Sequence, residues 1–429
     1  MVLVQFLVVL LFLYIGMRVG GIGVGFAGGA GVMALSALGD TPGEMPLLVI
    51  VFIMVVIIAI AAMQEAGGIT YLVALTERLL RRYPRLLVIT APISTWLLTM
   101  MASTGQVSFA CMPVIVGVAK ENNIKPTRAL AISVSASLLG IVASPISAAV
   151  IFFSATLEKN NHGWGYLELI AVSIPATLLA LLVTSIFYLC WDRFKKQDVL
   201  HDGAAVATFG VSREIPPYAR RSVLIFLVGL VAVLVYAILI SPKLGLIAHP
   251  IMNSGQARVG VMMGVALLIV VGCRVNVHNI PSGSVFKTGM TSCICILGVA
   301  WLGSTFMDNN QQELQNAVSS YLLDSPVLLA LLIMLASCFL YSQAASTKIL
   351  FPVALSMGVA PGVMIACFPA TASLFILPNY PTLLAAVALD DTGSTRLGTH
   401  IIDHPFLLPG LMSVVLSIAF AAGLVLLIQ

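Results

Sequence analysis

Long apolar runs separated by short polar stretches repeat from one end of the chain to the other. They fall at about 2–16, 20–38, 46–64, 86–119, 129–154, 166–190, 222–240, 257–272, 288–306, 326–357, 362–389 and 405–428. Most are long enough to cross a hydrocarbon core of ~30 Å as α-helices. A chain with this many spans must satisfy its backbone polar groups inside each segment, which predicts an all-α polytopic membrane protein. Two runs, 86–119 and 326–357, are too long for one simple crossing and carry a polar cluster midway.

Composition agrees, with 60% hydrophobic and 9% charged residues, where soluble domains carry about 25% charged residues. A soluble enzyme is excluded. The charges also set a topology, because basic residues concentrate on the cytoplasmic side of membrane proteins. The basic cluster Glu77–Arg85 (ERLLRRYPR) is placed inside. If 86–119 and 326–357 are re-entrant hairpins that leave on the side they enter, 17 of the 21 lysines and arginines lie inside. Three (Lys159, Lys243 and Arg258) lie outside, and Lys348 lies within the membrane. A single crossing by 86–119 would instead put Lys120, Lys125 and Arg128 outside. With the hairpins, both termini are expected on the periplasmic side. The first run leads into Arg18 and a glycine-rich stretch (GGIGVGFAGGAG) without an A-x-A-like cleavage site. That stretch lacks the strand and acidic partner of a dinucleotide motif and reads as close helix packing. The seven cysteines sit in or at the ends of spans as small apolar residues, and the six histidines show no metal-ligand spacing. No cofactor or metal is expected.

Internal symmetry is more informative. Ser103–Pro113 (STGQVSFACMP) and Ser342–Pro352 (SQAASTKILFP) are serine-led polar clusters midway through the two hairpin runs, each ending in proline ten residues on. A loop proline follows each one, Pro126 and Pro361. A polar, proline-bearing interruption within a span comes next: Ala143–Ser147 (ASPIS) in one half, Leu377–Thr382 (LPNYPT) in the other. The loop proline precedes the break proline by 19 residues in the first half (126 to 145) and by 20 in the second (361 to 381). Each half reads as three spans, a hairpin, a broken span and a closing span. The expected division is residues 1–191, a cytoplasmic linker at 192–221, and residues 222–429. The first half starts outside and the second inside, so the repeats are inverted. Inverted halves with interrupted helices in matching places point to a secondary transporter with a midplane site.

The chemistry of such a site follows from its backbone. Broken helices free N–H and C=O groups that are tolerated in a membrane only where they line a cavity. Helix N-termini there favour carboxylates. Candidate substrate ligands are Ser103, Thr104, Gly105 and Gln106 at the first tip, with Ser144, Pro145 and Ser147 at the first break. At the second tip they are Ser342, Gln343, Ser346, Thr347 and Lys348, with Pro378, Asn379, Pro381 and Thr382 at the second break. Any one serine here is equally a hydrogen-bonding link between helices; the four matched clusters favour a site. Lys348 either faces an anion in a cavity or is paired or snorkelled for structure, since an unpaired lysine at depth is costly. No carboxylate lies clearly at mid-membrane, which favours an anionic substrate over cation exchange. Asp390, Asp391, Thr392 and Arg396, at the cytoplasmic end of the second broken span, are candidates for gating or regulation, or for a solvated helix end.

At these residues the chain resembles the Dcu family of C4-dicarboxylate carriers of bacterial inner membranes, closest to its DcuA branch. The similarity lies in RVGGIGVGFAGG (18–29), TERLLRRYPR (76–85), STGQVSFACMPVI (103–115), ASPISAAV (143–150), FKTGMTSCICILGVAWLG (286–303), YSQAASTK (341–348), LFILPNYPTLLAAVALDDTGSTR (374–396) and DHPF (403–406). It extends over essentially the whole length. The resemblance implies uptake of aspartate, fumarate, malate or succinate, in exchange for succinate or with protons. It also implies an ion-transporter-superfamily-like, elevator-type fold. Two departures stand out: the family's Gly-Thr-Gly tip reads Ser103-Thr104-Gly105, and the central linker is short.

Expected partners are therefore C4-dicarboxylates, membrane lipids, a second copy of the chain, and a membrane sensor kinase if the protein also regulates. No nucleic acid is expected. A dicarboxylate-binding co-sensor is the alternative reading, and the absence of a large soluble segment counts against it. A membrane-embedded enzyme would need a nucleophile or metal constellation at membrane depth, such as paired aspartates or an HExxH cluster, and none is found there.

Overall fold

Each apolar run forms helix, and helices stop where proline, glycine or a capping hydroxyl intervenes. This computed structural model describes the chain except residues 1, 20–21, 46, 160–162, 196–214, 241–246, 248–250, 253, 324, 341, 379, 399–402 and 429. The first half holds α1 (Val2–Val19), α2 (Gly23–Ala37), α3 (Leu47–Glu65), α4 (Gly68–Arg82), α5 (Leu87–Ala102), α6 (Ser108–Glu121), α7 (Thr127–Ala143), α8 (Ala148–Lys159) and α9 (Tyr166–Lys195). The second holds α10 (Ala219–Leu239), α11 (Ser254–Gly272), α12 (Ser284–Leu323), α13 (Pro326–Leu340), α14 (Gln343–Ser356), α15 (Pro361–Cys367), α16 (Pro381–Leu389) and α17 (Leu407–Ile428). No strand occurs among the described residues. Seven helical stretches there are long and apolar enough to cross a membrane by themselves. Most of the expected linker, 196–214, lies outside the described residues, and α9 and α10 run into its two ends.

Both long runs divide at their polar clusters. Ser103 adopts a left-handed conformation (φ 55°) that ends α5, and a 3-10 turn over Gly105–Val107 leads into α6. In the second run Ser342 is extended, and its Oγ accepts from the Ala345 N–H to cap α14. The helices on either side have 16 and 14 residues in the first run and 15 and 14 in the second. At ~1.5 Å per residue none alone spans a ~30 Å core.

Both interrupted spans are broken where expected. Ser144 leaves the helical region (ψ 117°) and ends α7. Helix then resumes at α8, where Ser147 Oγ accepts from the Val150 N–H at 3.2 Å. The Tyr166 hydroxyl donates to the Pro145 carbonyl at 2.8 Å, satisfying a group the break leaves open. In the second half α15 tightens into a 3-10 helix at Phe368–Phe375, and α16 restarts on Pro381. Proline suits a first helical position because no N–H is needed there.

One element was absent from the sequence expectation. The stretch after α3, read as a polar connection, is an amphipathic helix, α4, bent 67° from α3. It buries Leu72, Val73, Thr76 and Leu80 while Arg78, Arg81 and Arg82 lie on its other faces. Gly67 makes the corner. Its φ of 83° is a left-handed conformation, and a Cβ there would lie 2.5 Å from Pro216. A second difference is length, since α12 continues to Leu323, past the expected end near 306.

The packing is reciprocal between the halves. Helix α2 packs on α12 and α11 on α3, while α1 packs on α2 and α10 on α11. The closing helices α9 and α17 lie together. In the interior, α5 packs on α7 and α13 on the 3-10 helix, α6 meets α16, and α14 meets α8. The glycine-rich stretch does pack a helix pair closely. A Cβ on Gly25 would lie 2.3 Å from the Ile294 carbonyl, and one on Gly298 only 1.9 Å from the Gly25 carbonyl. One continuous apolar cluster fills the interior from α3 to α17, and a smaller one (Val9, Val32, Leu35, Leu302, Phe306) ties α1 and α2 to α12.

Candidate functional site

Four helix N-termini are produced by the two turns and two breaks: α6 and α14 after the tips, α8 and α16 after the interruptions. The tip residues make contacts that cross between the halves. Gly105, at the first tip, faces the second break; a Cβ there would sit 3.8 Å from Thr382 Cγ2 and 3.9 Å from Ser137 Oγ of α7. Gln343, at the second tip, reaches the first broken span, its Nε2 donating to the Leu138 carbonyl at 2.9 Å. Helix α14 then runs along α8. Each tip therefore contacts the broken span of the other half.

Several polar atoms at these junctions have no hydrogen-bond partner although they are fully buried: Ser144 Oγ, Thr382 Oγ1, Gln343 Oε1 and Lys348 Nζ. Buried polar groups are normally paired, so orphaned ones need an explanation. Hydroxyls and an ammonium can donate to an anion, and first-turn N–H groups add fixed partial positive charge.

Not every candidate is free to bind. Ser346 and Thr347 donate to the carbonyls of Ser342 and Gln343 inside their own helix. Ser342 and Ser147 act as caps. Ser103 ends α5, Thr104 lies beside it half-buried, and Pro378 and Pro381 shape the second break. The backbone of Gln106 belongs to the 3-10 turn, whereas its side chain, and all of Asn379, lie outside the described residues.

Lys348 is 4% exposed. Its Nζ stands 5.5 Å from the centre of the Phe152 ring on α8 and within electrostatic range of Cys293 and Cys295 on α12. It lies five residues beyond Gln343, about 7.5 Å along the helix axis. At about 100° per residue it is turned roughly 140° round the helix from Gln343, toward α8 and α12.

The Asp390–Arg396 segment forms a tight local structure. Asp390 is buried and accepts from the N–H groups of Thr392 and Thr395 and from the hydroxyls of Thr392 and Ser394. Asp391 pairs with Lys120 at the end of α6 at 2.7 Å, and Ser394 Oγ accepts from Thr127 Oγ1 at 2.8 Å. This segment ties the second broken span to the first hairpin. Arg396 is exposed.

Sequence reasoning missed three features. Ser137 belongs to a run of serines (Ser133, Ser135, Ser137) inside an apolar span, a pattern that could have flagged it. Tyr166 gave no signal, because only folding brings it to Pro145. Arg258, counted from the sequence among the charges on the outer side, is buried on α11, with its guanidinium 4.7 Å from the Tyr166 ring centre and 5.6 Å from that of Phe52. It donates to Ser154 Oγ at 3.3 Å and pairs with Glu158 at 3.6 Å, both on α8.

The family model described as the anaerobic C4-dicarboxylate membrane transporter matches residues 1–429. The chain belongs to that family. It is 47% identical to the C4-dicarboxylate transporter DcuA of Escherichia coli strain K12 over 426 residues, 98% of each chain. To the Wolinella succinogenes DcuA it is 44% identical over 98% of each. Identity falls to 33%, over 97% of each, with the anaerobic C4-dicarboxylate transporter DcuB of Escherichia coli O6:H1. The sequence is thus nearer the DcuA relatives than this DcuB. Two solved structures share the fold. The Alcanivorax borkumensis YdaH transporter superposes with a TM-score of 0.61 at 15% identity, covering 97% of this chain and 98% of that one. Neisseria gonorrhoeae MtrF gives 0.56 at 13%, covering 96% and 97%. The protein is a multi-pass helical membrane transporter, and its curated relatives are transporters rather than enzymes.

Proposed function

We propose that the protein carries C4-dicarboxylates (aspartate, fumarate, malate and succinate) across the bacterial inner membrane, taking up one in exchange for succinate or with protons. The observation that carries this reading is the crossed contact of each tip with the other half's broken span. A C4-dicarboxylate has two anionic ends, and the site offers two matched junctions. One carboxylate is assigned to the Gly105–Thr382 junction, where Ser137 Oγ is close and Thr382 Oγ1 is unpartnered. The other is assigned to the junction of Gln343 with the first broken span, where Ser144 Oγ is unpartnered and Lys348 supplies a full charge. Oriented donors in a site closed to water bind charge with little reorganisation.

In this reading the halves, 1–191 and 222–429, are inverted repeats joined by the 192–221 linker, supported by their reciprocal packing. The hairpins and broken spans move as one elevator-like unit against the remaining helices. Contacts within that unit, such as Lys120–Asp391 and Gln343–Leu138, fit this division. The remaining helices form a scaffold on which a second copy docks, and both termini face the periplasm. The exposed Asp391 and Arg396 offer a cytoplasmic face to a membrane sensor kinase.

The test is uptake of labelled L-aspartate into proteoliposomes of the purified protein, with internal succinate present or absent and no ion gradient. Uptake that rises with internal succinate supports exchange. Uptake only under an inward proton gradient supports the proton-coupled mode. No dicarboxylate flux from folded protein under either condition rules out the transport reading.

A further inference from the structure

We propose that Gln343 reads the substituent on C2 of the substrate, accepting a hydrogen bond from the ammonium of aspartate or the hydroxyl of malate; this rests on the transport reading above. Gln343 is the first residue of α14, 4% exposed, and its carboxamide is held in one orientation. A carbonyl accepts only from N–H or O–H, so the bond to the Leu138 carbonyl fixes the NH2 end toward α7. The oxygen end cannot exchange places with it without setting two carbonyl oxygens against each other. Oε1 is therefore a fixed acceptor, buried and without a donor.

The other unpartnered groups at the two junctions differ in kind. Ser144 Oγ, Thr382 Oγ1, Lys348 Nζ and the first-turn N–H groups are donors, suited to carboxylates. Among the described residues, Gln343 Oε1 is the one orphaned group at these junctions that can only accept. A carboxylate cannot satisfy it, and neither can any group on succinate or fumarate. An ammonium or hydroxyl on C2 can. A site built to hydrogen-bond such a group discriminates strongly against analogues lacking it, because its own buried group is then left unpaired.

The test is exchange of labelled succinate in proteoliposomes, competed by L-aspartate, L-malate and fumarate, for wild type, Q343M and Q343E. Methionine keeps the length of the side chain and removes the acceptor. The aspartate-to-succinate and malate-to-fumarate ratios of apparent affinity are expected to fall about 10- to 100-fold in Q343M. Glutamate keeps an acceptor and adds charge that opposes a plain dianion, while giving up the hydrogen bond donated to Leu138, so Q343E weakens every substrate but raises the aspartate-to-succinate ratio. Ratios in Q343M within about twofold of wild type, with all four substrates weakened together, would overturn the proposal and leave Gln343 as a positioning residue for α7. If Q343M supports no exchange, Q343E decides: a ratio at or below the wild-type value overturns the assignment. Wild-type exchange with unchanged variant ratios sinks this inference alone. No wild-type flux of any dicarboxylate, by exchange or under an inward proton gradient, sinks the transport reading with it.

Discussion

Replacing Lys348 by methionine should make the empty protein more stable and, at the same time, a poorer binder. Lys348 is 4% exposed and its Nζ has no hydrogen-bond partner. Its contact with the Phe152 ring at 5.5 Å contributes only about 0.5–2 kcal/mol. The cost of burying an ammonium is several kcal/mol even after relaxation, so burial outweighs that contact when no anion is bound. Methionine fills similar volume without the charge, and K348M should melt several degrees above wild type in the absence of substrate. Binding moves the other way. A charge pair at ~4 Å in an effective dielectric of ~20 interacts by about 4 kcal/mol. Part of this is offset by desolvating the substrate, leaving about 2–3 kcal/mol, or roughly 30- to 150-fold in Kd. Thermal unfolding of purified K348M, with succinate titrated against it, measures both quantities. Affinity within about threefold of wild type would refute the role in binding. A variant less stable than wild type would show that Lys348 serves packing or an internal pairing instead.

Three other outcomes follow from different parts of the fold. Gly298→Ala places a methyl 1.9 Å from the Gly25 carbonyl, so α2 and α12 must separate; a loss of about 1–3 kcal/mol should appear as a lower Tm without a change in substrate selectivity. Asp40 lies in the α2–α3 connection, buried, with one oxygen accepting from Gln5 Nε2 and the other unpartnered. Burial pushes its carboxyl up, and the Gln5 bond opposes this only in part. A raised carboxyl pKa makes the folded state lose stability as pH rises through it. D40N should therefore exceed wild type in Tm at neutral pH, with the difference vanishing in acid; equal melting at every pH would refute this. At the α11–α8 contact the two partners should differ in weight. Glu158 is 37% exposed, so E158Q should cost at most about 1 kcal/mol. Arg258→Met also loses two aromatic contacts and the Ser154 bond, and should cost about 2–4 kcal/mol. Equal losses in Tm would contradict this ranking.

The parts of the fold set by length and interruption were legible in the sequence. Apolar runs marked the helices, and the serine-led clusters at Ser103 and Ser342 marked the turns in both long runs. Ser144-Pro145 and Pro378–Pro381 marked the breaks, because a membrane tolerates such residues mid-span only at an irregular backbone. Helix α4 was hidden because its apolar positions are spaced three and four apart among arginines, so it reads as polar in any average over a window. The candidate site could be read as four clusters but not as crossed contacts, since the Gly105–Thr382 and Gln343–Leu138 contacts join opposite halves of the chain. Nor could sequence separate hydroxyls already engaged within their own helix, such as those of Ser346 and Thr347, from the unpartnered ones of Ser144 and Thr382. Asp390 illustrates the same limit. It read equally as a gating carboxylate or a solvated helix end, and folding surrounds it with four donors from its own turn.

The central claim is that a dianion lies between the two crossed junctions, and the most direct measurement is a structure determined with succinate bound. The account predicts one ligand bridging them, one carboxylate within hydrogen-bond distance of Thr382 and the N-terminus of α6. The other should lie against Ser144 and the N-terminus of α8. A dicarboxylate bound elsewhere, or held at one junction with its second carboxylate in solvent, would contradict it.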